Sequence, residues 1–151
     1  MKRLNVPVES LVLNKDGSGG TVTDSGSTLS YFVKPAFEEL KKAVIETVKL
    51  PVANHTVKEY QLCFTLPHGT PMEKIEVPPL RLHLEGGAEM VVPRENYFQE
   101  PSPGTMCLAV GLSPIMFFPN MISNVMQQNM HVLFDVRNSK LLFAPTQCDK
   151  L

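Results

Sequence analysis

The chain has 151 residues and a formal net charge of −1, and 43% of its residues are hydrophobic. A chain of this length forms one domain that buries about 70% of the surface exposed by its unfolded state. The near-zero charge gives no electrostatic reason to expect nucleic acid or anionic lipid as a partner. No apolar run approaches the roughly 18 residues that a membrane-spanning helix needs. Composition therefore predicts one soluble globular domain without a membrane segment.

The N-terminal part of the chain alternates between extended segments and turns. Residues 4–13 are rich in β-forming types, and Pro7 favours an edge strand or an entry into a sheet. Residues 14–20 have the composition of a hairpin turn. Thr21, Val22 and Thr23 read as the end of a strand, which the sequence Asp24-Ser25-Gly26-Ser27 breaks with a turn.

One amphipathic helix is predicted over about residues 35–48. Pro35 lies near its start, where the missing N–H of proline costs nothing. The apolar residues of this stretch recur at spacings of three and four, at Phe37, Leu40, Val44 and Val48. We expect this helix to cover a sheet.

The rest of the chain has the pattern of short strands separated by turns. Residues 80–84 alternate as a half-buried strand does, and Glu85-Gly86-Gly87 turns them into residues 89–92. A loop is predicted at 112–120 and a short helix near 124–129. Further strands are predicted at 62–66, 97–98, 106–111, 131–135 and 141–144. This pattern predicts a mainly β domain with one main helix.

The turn at Asp24 is the strongest candidate for a chemical site. Ser and Gly suit a turn because a hydroxyl bonds the local backbone and glycine adopts positive φ. A carboxylate on such a turn is held by backbone donors and points where the preceding strand aims it. A solvated aspartate in a loop is the alternative for an arbitrary Asp-Ser-Gly sequence.

The sequence around Asp24 resembles the active-site turn of the pepsin-like aspartic proteases, in which Asp-Ser/Thr-Gly-Ser/Thr precedes a second hydroxyl and a leucine. Residues 124–135 and 142–148 resemble the end of the plant nepenthesin-like branch of that family. Four motifs in the middle resemble the same branch: Val77-Pro78-Pro79-Leu80, Glu85-Gly86-Gly87-Ala88, Pro93-Arg94-Glu95-Asn96-Tyr97 and Cys107-Leu108-Ala109. The resemblance implies that residues 1–151 are a C-terminal lobe of the pepsin-like acid-protease fold, without its N-terminal lobe.

The resemblance also implies a mechanism with two aspartates, one from each lobe, that hold a water molecule between them. Asp24 is then one catalytic residue, Ser25 and Gly26 shape the turn, and Ser27 stands where many relatives carry threonine. The second aspartate belongs to the absent lobe, so we expect the isolated chain to be inactive. The same lobe occurs in plant xylanase-inhibitor-like proteins that do not cleave peptides.

Two positions depart from the family pattern. Thr23 precedes Asp24 where an apolar residue is usual. Met121-Ile122-Ser123-Asn124 stands where relatives have two apolar residues, glycine and asparagine. Ile122 and Ser123 are therefore expected on the strand behind the active turn, and Ser123 adds a side chain where backbone should pass closely.

The cysteines and one sequon indicate an oxidising compartment. Three cysteines leave one thiol unpaired or bonded outside the chain, and three pairings are possible. The resemblance points to a Cys63–Cys107 bridge with Cys148 free. Asn54-His55-Thr56 is the one Asn-x-Ser/Thr sequon, and it would be glycosylated only in a secretory compartment. We therefore expect an extracellular or vacuolar protein, although Pro7 interrupts the stretch that would otherwise begin like a signal peptide.

No cofactor or metal is expected, because the four histidines show no ligand spacing with each other or with cysteine. The expected partners are a polypeptide substrate and either the missing N-terminal lobe or a second copy of the chain. Three functions remain open at this point. They are an aspartic endopeptidase lobe, a non-catalytic binding protein of the xylanase-inhibitor type, and a self-associating lobe, like a retroviral protease, in which Asp24 meets its own copy.

Overall fold

The computed structural model describes residues 3–55, 57–114 and 118–150. Its two α-helices are α1 (Lys34–Val48) and α2 (Asn124–Gln127). The strands are β1 (Thr21–Asp24), β2 (Ser30–Phe32), β3 (Cys63–Thr65), β4 (Leu80–His83), β5 (Glu89–Val92), β6 (Phe98–Ser102), β7 (Thr105–Leu108), β8 (Val110–Leu112), β9 (Asn120–Ser123), β10 (Met130–Asp135) and β11 (Lys140–Pro145). The described chain is therefore mainly β with one main helix, as predicted.

Helix α1 forms where the apolar spacing predicts it. It begins after Val33, which is extended, and has Pro35 in its first turn. It ends at Val48, because Lys49 adopts the left-handed conformation with φ 53°. The buried residues of the helix form one stripe that faces the core: Ala36, Phe37, Leu40, Val44 and Val48.

The sheet that carries Asp24 has the strand order β1-β9-β2-β8. Strand β9 lies between β1 and β2, parallel to the first and antiparallel to the second. A strand from late in the sequence thus separates two strands that are close neighbours in sequence. This insertion brings residues 120–123 beside the turn that follows β1.

The remaining strands form the three-stranded sheet β3-β7-β6 and the hairpins β4-β5 and β10-β11. The disulfide between Cys63 and Cys107 joins β3 to β7 across a sequence separation of 44, and Cys148 is free and exposed. The pairing is the one that the resemblance implies. Fully buried side chains from three strands of this region fill the core between α1 and the sheets: Phe64, Phe98, Met106 and Leu108.

Three sequence-based predictions differ from the structure. Residues 4–13 do not form a strand: Val8–Ser10 is a short 3-10 helix, closed by a 3.0 Å bond from Ser10 N–H to the Pro7 carbonyl. Leu13 makes only a single bridge, with Gly19. The run 106–111 is two strands in different sheets, because Ala109 donates to Tyr97 and accepts from Ser30.

The loop predicted at 112–120 is shorter in the structure, since Leu112 ends β8 and Asn120 begins β9. Its residues 115–117 lie outside the described part of the chain. In the described ranges, no helix has the length and apolar character required to cross a bilayer.

Candidate active site

The Asp24 turn rests on the inserted strand β9. Asp24 lies in register with Ser123, and Thr23 lies in register with Ile122. Ile122 and Ser123 are 3% and 0% exposed, whereas Asp24 is half-buried. The carboxylate therefore stands at the end of an edge strand whose inner neighbour is buried.

Backbone donors and hydroxyls close the turn. The N–H of Gly26 donates a 2.9 Å hydrogen bond to Oδ1 of Asp24, which makes a local Asx turn. A Cβ placed on Gly26 would lie 3.2 Å from that same oxygen. The hydroxyl of Ser27 donates to the carbonyl of Leu29 at 3.4 Å. Gly26 thus lets the backbone approach the carboxylate that it orients.

The first turn of α2 supports the far side of the Asp24 turn. Asn124 N–H donates to the Ser27 carbonyl at 2.9 Å, and Val125 N–H donates to the Thr28 carbonyl at 3.2 Å. The first N–H groups of a helix have no partner inside the helix, so the turn supplies the acceptors that they need. The amide of Asn124 also reaches the Ser25 carbonyl at 3.5 Å. The turn and α2 therefore hold each other in place.

Asn120 is a supporting residue that the sequence analysis missed. It is 3% exposed, and its Oδ1 accepts a 3.1 Å bond from the N–H of Val33. Its Nδ2 donates at 3.0 Å to the carbonyls of Ser10 and Gly20. One carboxamide thus ties together the N-terminal segment, the start of β1 and the start of α1. The signal in the sequence is a polar residue that directly precedes an apolar pair in a strand.

Two of the other three aspartates, Asp16 and Asp135, serve in turns elsewhere. Asp135 accepts bonds from the backbone and side-chain amides of Asn138 and is thus a turn acceptor. Asp16 accepts from the N–H and hydroxyl of Ser18, and these bonds lower the pKa of its carboxyl. The sequence contains one Asp-Ser/Thr-Gly turn, the one at Asp24.

The remaining predicted site residues are outside the sheet that carries Asp24. Cys63 and Cys107 form the bridge between β3 and β7. Asn54 is exposed on a bend, but Thr56, the third residue of its sequon, lies outside the described residues. Among the residues with described positions, no group of three or more His, Cys, Asp or Glu side chains could hold a metal ion.

Asp24 does not line either of two hollows found among the described residues. A hollow of about 420 Å³ lies between β5, the end of α2 and the C-terminal residues, with Asn96, Asn129 and Thr146 in its lining. A smaller one of about 20 Å³ includes Thr23 and Ile122. Neither is a substrate cleft around the carboxylate.

Comparison with known proteins decides the family. Residues 1–145 match the model of the family described as xylanase inhibitor C-terminal. The chain belongs to this family. The family assignment agrees with the resemblance to the C-terminal lobe of nepenthesin-like aspartic proteases.

Curated relatives of this family member are plant aspartic proteases. Aspartic proteinase nepenthesin-1 of Nepenthes gracilis is 37% identical over 147 residues, which are 97% of this chain and 32% of that protein. Aspartic proteinase nepenthesin-2 of the same plant is 30% identical over 145 residues, 96% of this chain and 32% of that protein. The chain thus spans about a third of the length of these relatives.

Solved structures share the fold at low sequence identity. The crystal structure of edgp superposes on this chain with a TM-score of 0.78 at 16% sequence identity. The aligned region covers 95% of this chain and 36% of the edgp chain. The crystal structure of Basic 7S globulin from soybean superposes with a TM-score of 0.66 at 18% sequence identity. The aligned region covers 97% of this chain and 41% of the globulin chain. These likenesses confirm the predicted fold of one pepsin-like lobe.

Proposed function

We propose that this chain is an aspartic endopeptidase lobe that supplies Asp24 as one of two catalytic carboxylates. The observation that carries the proposal is the position of Asp24, half-buried at the end of β1 with its Oδ1 bonded by Gly26 N–H. The names of the plant relatives, nepenthesin-1 and nepenthesin-2 among them, support the same reading.

The proposed reaction is hydrolysis by an activated water without a covalent intermediate. Two neighbouring carboxyl groups share one proton, because like charges so close cannot both ionise. The ionised group removes a proton from the water, and the protonated group donates its proton toward the oxygen of the scissile carbonyl. In this chain, the Gly26 N–H donates a hydrogen bond to Oδ1 of Asp24. That bond orients the carboxylate and leaves Oδ2 for the water.

The second carboxylate comes from outside this chain. Because the chain spans about a third of its relatives, we place it as the C-terminal lobe of a two-lobe enzyme, with the substrate polypeptide between the lobes. The disulfide between Cys63 and Cys107 fits the oxidising conditions of the secretory pathway, in an extracellular or vacuolar destination. We expect the monomer alone to cleave no peptide.

A non-catalytic binding protein is the second candidate, and Ser123 favours it. The register places this residue beside Asp24, and its buried hydroxyl has no hydrogen-bond partner among the described residues. A binding protein that does not catalyse a reaction can tolerate a polar side chain at this position, because catalysis does not constrain its Asp24 turn. A catalytic test separates the two candidates.

Reconstitution with an N-terminal lobe is that test. The chain would be mixed or co-expressed with the N-terminal lobe of a nepenthesin-like protease, which supplies the first aspartate. A denatured protein substrate would be offered at about pH 4, in the range where a pepsin-type pair shares its proton. The proposal predicts cleavage that pepstatin blocks and that neither lobe gives alone. A correctly assembled but inactive complex would contradict it and support the binding protein.

A further inference from the structure

The sheet β1-β9-β2-β8 has the main core on one face and a small second cluster of apolar residues on the other. Three side chains of its strands belong to the main core: Phe32, Val110 and Ile122. The second cluster consists of the buried residues Leu29, Ala109 and Val125. Tyr31 and Tyr60, both half-buried, pack against these three. We call the five residues of the second cluster the tyrosine patch.

The strand register puts the tyrosine patch on the face of the sheet that carries the Asp24 side chain. Tyr31 is in register with Met121, and Met121 is in register with Val22. Residues in register on neighbouring strands point to the same face, and so do residues two apart on one strand. Because Val22 and Asp24 are two apart on β1, Tyr31 and Asp24 share a face.

The spacing of the strands gives the separation of Tyr31 from Asp24. Tyr31 lies two strands across the sheet and two residues along it. With neighbouring strands about 4.8 Å apart and a rise of about 3.3 Å per residue, the two Cα atoms are about 12 Å apart. An extended peptide covers that distance in three to four residues. A polypeptide with its scissile bond at Asp24 therefore reaches Tyr31 with a residue close to that bond.

Both rings of the tyrosine patch are held in place. The ring of Tyr31 lies over Gly111, where an added Cβ would be 3.2 Å from its Cε1 atom. The hydroxyl of Tyr60 donates a 2.6 Å hydrogen bond to Oε1 of Gln99. Burial and then the Glu59 carboxylate raise the pKa of Tyr60, so this hydroxyl stays a donor. Rigid aromatic rings provide contact area at a low cost in conformational entropy.

We propose that the tyrosine patch is a specificity-determining subsite that binds a large apolar or aromatic side chain of the substrate polypeptide. The inference rests on the proposed function, which places the polypeptide along the face that carries Asp24. An apolar floor between two rings disfavours a polar side chain, because its hydrogen bonds to water would be lost without replacement. The Glu59 carboxylate beside Tyr60 disfavours an acidic side chain most strongly.

Peptide binding by the whole chain tests the subsite without requiring catalysis. The probe is an uncharged octapeptide with blocked ends and one phenylalanine among glycines and serines, and the matched peptide has serine in place of phenylalanine. Amide chemical shifts of the nitrogen-15-labelled chain follow each titration. We expect the phenylalanine peptide to shift the amides of Tyr31, Tyr60 and Gly111 and to bind about tenfold more tightly than the serine peptide. Equal binding of the two peptides, or shifts confined to other residues, would overturn the subsite.

Variants of the tyrosine patch test which residues produce this preference. Tyr31→Ser and Tyr60→Ser should each lower it by at least about threefold. Gly111→Ala is a further variant, in case a serine variant does not fold, because it keeps both tyrosines and displaces the ring of Tyr31. Ile45→Ser is the matched control, since Ile45 is 40% exposed on α1, and it should leave the preference unchanged. A preference that survives in every folded patch variant would overturn the assignment.

Cleavage of a peptide library by the reconstituted two-lobe enzyme separates this inference from the proposed function. Tyr31→Ser should remove the preference for large apolar residues at one position within about four residues of the cleaved bond, and leave the other positions unchanged. Cleavage with the same preferences in the wild-type and variant enzymes would overturn the subsite and leave the proposed function standing. Phenylalanine-dependent binding at the patch without any cleavage by the assembled enzyme would support the subsite and contradict the proposed function.

Discussion

Ser123 donates its backbone N–H to Oγ of Ser30 at 3.0 Å, while its own hydroxyl is buried without a hydrogen-bond partner. Its backbone is extended, with φ −105° and ψ −172°, which any residue adopts. The strand therefore accepts a side chain at this position. The cost that the structure shows lies in the hydroxyl, because burying one without a partner costs about 1–3 kcal/mol.

Ser123→Ala should therefore raise the free energy of unfolding by about 1 kcal/mol. Ser123→Gly should raise the free energy of unfolding by less than Ser123→Ala does, because glycine within a strand costs about 0.5–1 kcal/mol of conformational entropy. Urea unfolding of the wild-type chain, Ser123→Ala and Ser123→Gly measures the order of their stabilities. A glycine variant more stable than the alanine variant would mean that the Cβ itself is crowded, which is what the comparison with the family pattern predicts.

Asn120→Leu should destabilise the chain by about 3 kcal/mol. The substitution leaves the Val33 N–H and the Ser10 carbonyl without the carboxamide that pairs them, whereas the Gly20 carbonyl keeps its bond from the N–H of residue 120. Asn14→Ala is the control, because Asn14 is exposed and, among the described residues, its side chain bonds locally to the hydroxyl of Ser18. Its effect should stay within about 0.5 kcal/mol. Equal losses of unfolding free energy in the two variants would contradict the stabilising role that we assign to the Asn120 carboxamide.

The sequence predicts those parts of the fold that depend on local patterns. Helix α1 follows from apolar spacing, and the Asp24 turn follows from Ser and Gly beside a strand. The position of Asn120 could not be predicted this way, because its partners lie in segments that only the folded sheet brings together. The break at Ala109 is hidden for the same reason: a uniformly apolar run does not show where the chain passes from one sheet to another.

Removal of the disulfide should cost about 3–4 kcal/mol. The bridge between Cys63 and Cys107 closes a loop with a sequence separation of 44, and closure of such a loop restricts the unfolded chain. Paired Cys63→Ala and Cys107→Ala substitutions should lower the thermal midpoint, whereas Cys148→Ser should not. Peptide mapping without reductant checks the pairing. A bridge to Cys148 in the oxidised protein would contradict the assignment.

Gly26→Ala should lower activity more than stability in the reconstituted two-lobe form. The new methyl group would lie 3.2 Å from Oδ1 of Asp24, so the carboxylate or the turn must shift. A misplacement of the catalytic group should reduce kcat by roughly tenfold or more, with KM nearly unchanged. An unchanged kcat would show that the turn absorbs the methyl group without moving Asp24.

The catalytic role of Asp24 is tested most directly by kcat/KM of Asp24→Asn in the reconstituted enzyme. Asparagine keeps the shape of the side chain and its bond from Gly26 N–H, but it cannot take a proton from water. Asp16→Asn is the matched control, because Asp16 also accepts a backbone bond in an exposed turn. We predict at least about a hundredfold loss for Asp24→Asn and no loss for Asp16→Asn. Full activity in the Asp24→Asn enzyme would contradict the account.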